Sequence, residues 1–272
     1  MHPPATDRHT LGSSLSAGKG ASMSTTSSHS GRIAVITGAA GGFGTAIACE
    51  LARRGADIIA VDLNPAAAVV SAVEDIGQKA LALQADVSDP EQVEAITADM
   101  LGFAGRIDIL VNNAGIFPFR DIWELDFAEW KRIQAINLDS QFLMAKAVMS
   151  SMRDNSWGRI VNLASNSLGL AVANMVPYMA AKGGVIGFTR ALATDLAPFG
   201  ITVNAVCPTA SRTPGGQSFI GDEVLEMVAN MQAIKRVGTA TDIVGSICFL
   251  SSDDSDFVTG QTIVADGGLM RV

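Results

Sequence analysis

Two residues of one segment have the types and the spacing for acid–base chemistry. Tyr178 is the only tyrosine in 272 residues, and Lys182 stands four positions further on. On a helix, residues i and i+4 share one face, about 6 Å apart along the axis. A free phenol titrates near ~10, and a cation beside it favours the phenolate. Such a tyrosine can take a proton from an alcohol or return one to a carbonyl. Here the cation is expected to outweigh burial and to hold Tyr178 below the free-phenol value. A Tyr-x-x-x-Lys pair also arises by chance, with the phenol as an ordinary core residue, so the elements around it have to decide.

Those elements begin at Arg32. The run RIAVIT (32–37) is β-branched and apolar, as a buried parallel strand requires. It enters GAAGGFG (38–44), then a helical pattern ending at Gly55, then a second strand, DIIAVD (57–62). Gly38, Gly42, Phe43 and Gly44 therefore occupy a strand-to-helix turn. Glycines there let backbone approach a pyrophosphate, and the helix N-terminus favours the anion. Asp62 closes the next strand, where a carboxylate accepts from ribose hydroxyls and repels a 2′-phosphate. Leu63 and Asn64 follow it and carry no positive charge. The pattern points to NAD(H) as the cofactor.

The alternation continues along the chain. A strand at 80–86 ends in Asp86-Val87, and a helix at 89–104 follows with Ser88 or Asp89 as its cap and Pro90 in its first turn. A strand at 108–112 runs into Asn113-Ala114-Gly115. One long helix is expected over 126–153, with Asn137 inside it. A strand at 158–165 delivers Ser165, and a helix at 174–198 carries Tyr178 and Lys182. A strand at 201–206 leads to Cys207-Pro208, helices near 222–233 and 240–251 follow, and a strand at 262–266 closes the series. Repeated strand–helix alternation predicts an α/β fold, a doubly wound parallel sheet of about seven strands (Rossmann-type), as a single domain over 31–272. Ligands of such sheets bind at the carboxyl ends of the strands. Gly38, Asp62, Asp86, Asn113, Ser165 and Pro208 all fall there. Residues 1–30, rich in Ser, Thr, Gly and Ala, read as a disordered leader, with Met23 as a second possible start.

Composition narrows the function classes. The chain has 19 Lys+Arg against 27 Asp+Glu, for a net charge of −8. That balance excludes the basic face nucleic acid requires. No apolar run reaches the roughly 18–20 residues of a membrane span, so no membrane partner is expected. Cys49, Cys207 and Cys248 are isolated and read as reduced thiols of a cytoplasmic protein. His2, His9 and His29 all lie within the first thirty residues. The domain beyond them has no histidine for a Ser-His-Asp triad or a histidine metal site, and no metal is expected.

With these motifs in place, residues 31–272 resemble the short-chain dehydrogenase/reductase family. The resemblance rests on Thr37-Gly38-x-x-x-Gly42-x-Gly44, Asn112-Asn113-Ala114-Gly115, Asn137, Ser165 thirteen before Tyr178, Tyr178-x-x-x-Lys182, and Asp266-Gly267-Gly268. It implies a catalytic set of Asn137, Ser165, Tyr178 and Lys182, with Asn137 holding a water that leads to Lys182. It implies a cofactor site that adds Phe43, Leu63, Asp86, Val87, Asn113, Ala114, Gly115, Pro208, Ser211 and Thr213 to the glycines and Asp62. It also implies a homotetramer. Two departures stand out: Thr209 replaces the family's usual glycine after Pro208, and Gly183-Gly184 directly follow Lys182, which predicts close packing there, at a subunit interface.

The expected reaction is hydride transfer between NAD(H) and a small-molecule secondary alcohol or ketone. Ser165 is expected to stabilise the alkoxide as it develops. Phe117, Phe119, Leu168, Leu170, Met175, Phe219, Ile220 and Met227 are expected to line an apolar pocket, suited to an aryl or alicyclic substrate. Arg212 is the basic residue expected nearby, for a phosphate, a substrate carboxylate or solvent. Two other readings stay open: a 3-oxoacyl thioester (acyl carrier protein) reductase, and a non-catalytic nucleotide-sensing protein.

Overall fold

A computed structural model describes residues 28–213 and 220–271. Phe219 and nearly all of the expected leader lie outside the described residues.

Seven parallel strands form the central sheet. They are β1 (Ile33–Thr37), β2 (Asp57–Asp62), β3 (Ala80–Gln84), β4 (Ile109–Asn112), β5 (Gly158–Leu163), β6 (Ile201–Pro208) and β9 (Thr262–Ala265), in the order β3-β2-β1-β4-β5-β6-β9. Order reverses between β1 and β4, so a crevice opens there beyond the strands' carboxyl ends. Two short segments, β7 (Ser211–Arg212) and β8 (Gly238–Thr239), pair with each other and were not foreseen from the sequence.

Strand residues alternate between two helical layers. Ala34, Ile36, Ile58 and Ala60 face helices α1 (Gly42–Arg53), α2 (Ala67–Ile76) and α8 (Val244–Leu250), packing on Ile47, Leu51, Val73 and Ile247. Val35, Ile59, Val61 and Leu110 face α3 (Pro90–Ala104), α5 (Ser140–Asp154) and α6 (Val176–Leu196), packing on Met100, Met144, Val148 and Leu196. Each fully buried aliphatic side chain contributes about 1.5–3 kcal/mol. Caps define the ends. Asp89 accepts from the Glu91 and Gln92 amides ahead of Pro90, and Gly105 closes α3 at φ 73°.

The expected helix over 126–153 is interrupted. Helix α4 (Phe127–Gln134) gives way to a π-helical turn at Ala135–Asp139 before α5 begins. Asn137 sits within that turn and is completely buried. The extra residue per turn re-aims a side chain without ending the helix, a device found at functional sites.

The leader boundary is corrected at its end. Residues 28–30 form a turn, and His29 is fully buried. Its backbone N–H donates to the Arg54 carbonyl at 2.9 Å, and its Nε2 lies 2.9 Å from Ser251 Oγ. Histidine is therefore part of the folded domain, though far from the carboxyl ends of the strands.

Candidate active site

The glycine turn is built to stay free of side chains. Gly38 takes φ 62°, and a Cβ on it would lie 2.9 Å from Ala114 Cα. A Cβ on Gly44 would overlap the Gly38 carbonyl, so α1 can press against the turn only with glycine there. Gly41 caps α1 without a side-chain hydrogen bond, and the first turn of α1 holds no acid. Its amides remain available to an anion.

Thr37 and Asn113 join the two turns across the crevice. Thr37 Oγ1 accepts from the Asn113 and Ala114 amides, both at 3.0 Å. Asn113 Nδ2 donates to the Thr37 and Gly38 carbonyls at 2.9 and 3.0 Å. The Asn113 amide group thus supports the glycine turn, and its backbone faces the crevice. Asp62 is tied to the same turn: its Oδ2 accepts from the Ala40 amide at 2.9 Å and its Oδ1 from the Asn64 amide at 2.8 Å. Leu63 beside it is 62% exposed.

One cleft of about 810 Å³ collects most of the residues expected to act. Gly38, Gly42, Phe43, Asp62, Leu63, Asp86, Val87, Asn113, Ala114, Gly115, Ser165, Tyr178, Pro208, Ser211 and Thr213 all line it. Gly44, Asn137 and Lys182 are not on its surface but behind its wall. Lys182, 3% exposed, donates to the Leu163 carbonyl at 2.7 Å, and its Nζ lies 5.7 Å from the centre of the Tyr178 ring. Asn137 Oδ1 accepts from the Ile116 amide at 3.2 Å, and its Nδ2 donates to the Ile133 carbonyl at 3.0 Å. A Cβ on Gly115 would stand 2.8 Å from Asn137 Oδ1 and 3.6 Å from Lys182 Nζ, so only glycine lets these groups lie this close to the cleft.

Ser165 follows β5 and caps a short 3-10 turn, Asn166–Gly169, with its Oγ accepting from the Ser167 amide at 3.2 Å. The Ser165 hydroxyl and the Tyr178 phenol line the same cleft. Burial raises the Tyr178 pKa above its ordinary value, and the Ser165 hydroxyl opposes only part of that rise. The expectation of a lowered phenol pKa is reversed in the protein without cofactor. Burial dominates because it acts on Lys182 too, pulling that ammonium down to about 8. Cys207, next to this group, is pushed up by burial to about 11 and stays a neutral thiol.

Several details depart from the sequence reading. Thr209 keeps a negative φ, and its hydroxyl lies 3.4 Å from Gln232 Oε1, so the missing glycine is accommodated. Arg212 pairs with Asp222 at 2.8 Å and does not line the cleft. The close packing expected after Lys182 is present at Gly184, where a Cβ would lie 2.7 Å from Leu138 Cδ2. Of the expected pocket residues, Phe117, Phe119, Leu170, Met175 and Ile220 line the cleft. Leu168 lines a second cavity instead, and Met227 is 56% exposed outside the cleft. Val172, Val224, Val228 and Leu269 complete the apolar end. Their only sequence signal was an apolar side chain in a loop or on one face of a short helix. Among the described residues no group of three or more His, Cys, Asp or Glu is placed to hold a metal ion.

Residues 38–270 match the family model described as enoyl-(acyl carrier protein) reductase. The chain belongs to the short-chain dehydrogenase/reductase family. Members of this family use nicotinamide cofactors. The glycine cradle, the N-terminus of α1 with no side-chain cap and no acid in its first turn, and the Asp62 carboxylate fit such a dinucleotide. The chain is 37% identical to a (2S)-[(R)-hydroxy(phenyl)methyl]succinyl-CoA dehydrogenase subunit of Thauera aromatica, over 87% of this chain and 96% of the relative. It is 36% identical to the 3-oxoacyl-[acyl-carrier-protein] reductase of Escherichia coli, over 89% and 98%. The crystal structure of levodione reductase superposes with a TM-score of 0.82 at 33% identity, covering 88% of this chain and 97% of that one. The protein is an oxidoreductase of this family, acting on a small-molecule substrate. No helix among the described residues is long and apolar enough to cross a membrane.

Proposed function

We propose that the protein interconverts a secondary alcohol and a ketone with NAD(H), and that the substrate is an apolar aryl or alicyclic compound. The observation that carries this reading is the position of Tyr178. It lines one cleft together with Ser165, with Asp62 and the glycine turn, and with Phe117, Leu170, Met175, Val224 and Leu269.

Each cofactor residue takes a role from its place. The α1 N-terminus and Gly38 and Gly42 receive the diphosphate through backbone amides. Asp62 accepts from the adenosine ribose, and its charge disfavours a 2′-phosphate with no cation at Leu63 to offset it. Asp86 and Val87 would border the adenine, Asn113, Ala114 and Gly115 the inner ribose, and Pro208, Ser211 and Thr213 the nicotinamide side, all of them lining the cleft.

When bound, the nicotinamide accepts or returns the hydride and, oxidised, brings a positive charge beside Tyr178. Tyr178 Oη takes the hydroxyl proton in oxidation and returns it in reduction. Ser165 Oγ donates to the substrate oxygen as negative charge grows on it. Lys182 holds the nicotinamide ribose and favours the phenolate, and Asn137 orders a water through which protons reach Lys182.

Support for the substrate comes from the apolar lining and from the phenyl-bearing substrate in the Thauera relative's name. We propose in addition that residues 112–119, 137–147, 157–165, 211–213 and 266–272 resemble a bacterial NAD-dependent 1-phenylethanol dehydrogenase. A second reading, 3-oxoacyl thioester reduction, is favoured by the Escherichia coli relative and the family model's description. Asp62 and the net charge of −8 speak against it, as they oppose NADPH and an acidic carrier. A non-catalytic nucleotide sensor would not need Asn137, Ser165, Tyr178 and Lys182 all in place. We further place the protein in the cytoplasm as a homotetramer, with Phe142 of α5, 51% exposed, at an interface.

The test is NADH oxidation with acetophenone, cyclohexanone and a 3-oxoacyl carrier-protein thioester in parallel. Turnover of either simple ketone supports the reading. Turnover of the thioester alone establishes the second one, and turnover of none refutes both.

A further inference from the structure

Residues 267–270 lie beside the active site, held there by a single carboxylate. Asp266 is 2% exposed. Its Oδ1 accepts from the Gly268 and Leu269 amides at 2.9 and 3.0 Å, and its Oδ2 from the Met270 amide at 2.7 Å. The fourth donor is Asn166 Nδ2 at 3.2 Å, the side chain directly after Ser165. One buried carboxylate therefore ties the 267–270 turn to the turn that carries the Ser165 hydroxyl.

Packing fixes the same relationship from both sides. A Cβ on Gly169 would overlap Met270, so the C-terminal turn lies flush against the Asn166–Gly169 turn. Gly267 and Gly268 take φ 70° and 80°, conformations open to glycine. A Cβ on Gly267 would stand 2.9 Å from Gln232 Nε2, and the Gly267 carbonyl accepts from the Ile234 amide at 2.8 Å. The turn is clamped between these contacts and leaves one apolar side chain for the cleft, that of Leu269. Leu269 lines the cleft with Ser165 and Tyr178, and it also lines the second cavity beside Arg190 and Arg271. It thus borders both the active-site cleft and the second cavity.

We infer that Leu269 is a specificity-determining residue, setting how large a substituent the substrate carries on the side of Ser165, and that Asp266 is the positioning residue that holds it there. This rests on the reading of the cleft as a ketone and alcohol site. Because Leu269 borders both spaces, a smaller side chain there enlarges the cleft on the side of the second cavity, and a larger one narrows it. One methylene in an apolar pocket changes discrimination by roughly 10-fold or more. Asp266 acts through the Leu269 amide, so loss of its charge lets the wall move without touching the reacting atoms.

The experiment measures binding of acetophenone and of 2-butanone to the enzyme with NAD⁺, a pairing in which no hydride can move, so the readout does not depend on turnover. The ratio of the two affinities is compared among wild type, Leu269→Ala, Leu269→Phe and Asp266→Asn, with NADH turnover of both ketones measured alongside. Leu269→Ala is expected to shift the ratio at least ~10-fold toward acetophenone, Leu269→Phe to shift it the other way, and Asp266→Asn to resemble Leu269→Ala. A ratio that stays within about twofold in both Leu269 variants overturns the inference. A purely structural Asp266 would weaken both ketones equally, and that result removes its positioning role. If the ratios move as expected and wild type turns over neither ketone, the reaction assigned above fails while the wall stands.

Discussion

Lys182 Nζ lies 5.7 Å from the centre of the Tyr178 ring and donates to the Leu163 carbonyl at 2.7 Å. The ammonium is thus held beneath the phenol by backbone. Lys182 is buried and Tyr178 half-buried in the cleft wall, and desolvation moves both toward their neutral forms.

A titration follows from this pair. Tyr178 is the only tyrosine, so any phenolate absorbance is its own. Without cofactor the midpoint is expected above the free-phenol value near ~10. Adding NAD⁺ brings in a positive charge and is expected to lower it. A midpoint at or below ~10 in the free enzyme would show that Lys182, not burial, governs the phenol.

Cofactor choice is expected to follow Asp62. NADH should bind at least ~10-fold tighter than NADPH, about 1.4 kcal/mol. Asp62→Ala combined with Leu63→Arg should reverse or erase the preference. Equal dissociation constants in the wild type would remove Asp62 from the account.

The catalytic wall can be disturbed at one atom. Gly115→Ala places a methyl 2.8 Å from Asn137 Oδ1 and should break the bond from the Ile116 amide. A loss of kcat of at least ~10-fold is expected, in line with the cost of a misplacement near 1 Å. Unchanged kcat would show that Asn137 does not act from this position.

His29 predicts an acid limb of stability. Burial, with Arg54 and Arg32 nearby, lowers its pKa from 6.5 to about 4. The folded state therefore keeps His29 neutral while the unfolded chain takes up a proton. Stability is full above pH ~6.5 and falls as pH drops toward ~4, by up to about 3 kcal/mol. Denaturant midpoints across that range check it. A chain starting at Ser28 should keep this behaviour, and one starting at Gly31 should lose both the pH dependence and some stability.

The glycine turn, Asp62, Ser165 and the Tyr178–Lys182 pair were legible because each needs one residue type at a set spacing beside a strand end. The seven strands were legible as short apolar runs between breakers. The π turn was not, because Ala135–Asp139 contains no glycine or proline to mark a break in the helix. Helix α2 begins Ala-Ala-Val-Val, apolar and partly β-branched, which carries no clear period. His29 was hidden in a polar, Ser-rich stretch whose composition argues against order. The site of Leu269 was invisible because the Asp266 turn that delivers it joins residues a hundred positions apart.

The most direct test of the central claim is oxidation of 1-phenylethanol by NAD⁺, with kcat/KM measured for wild type and Tyr178→Phe. The account predicts NADH formation by the wild type and a loss of about 10²–10⁴-fold in the variant, the range for removal of a positioned acid–base group. A variant that keeps its activity within about threefold of wild type would show that Tyr178 is not the acid–base group.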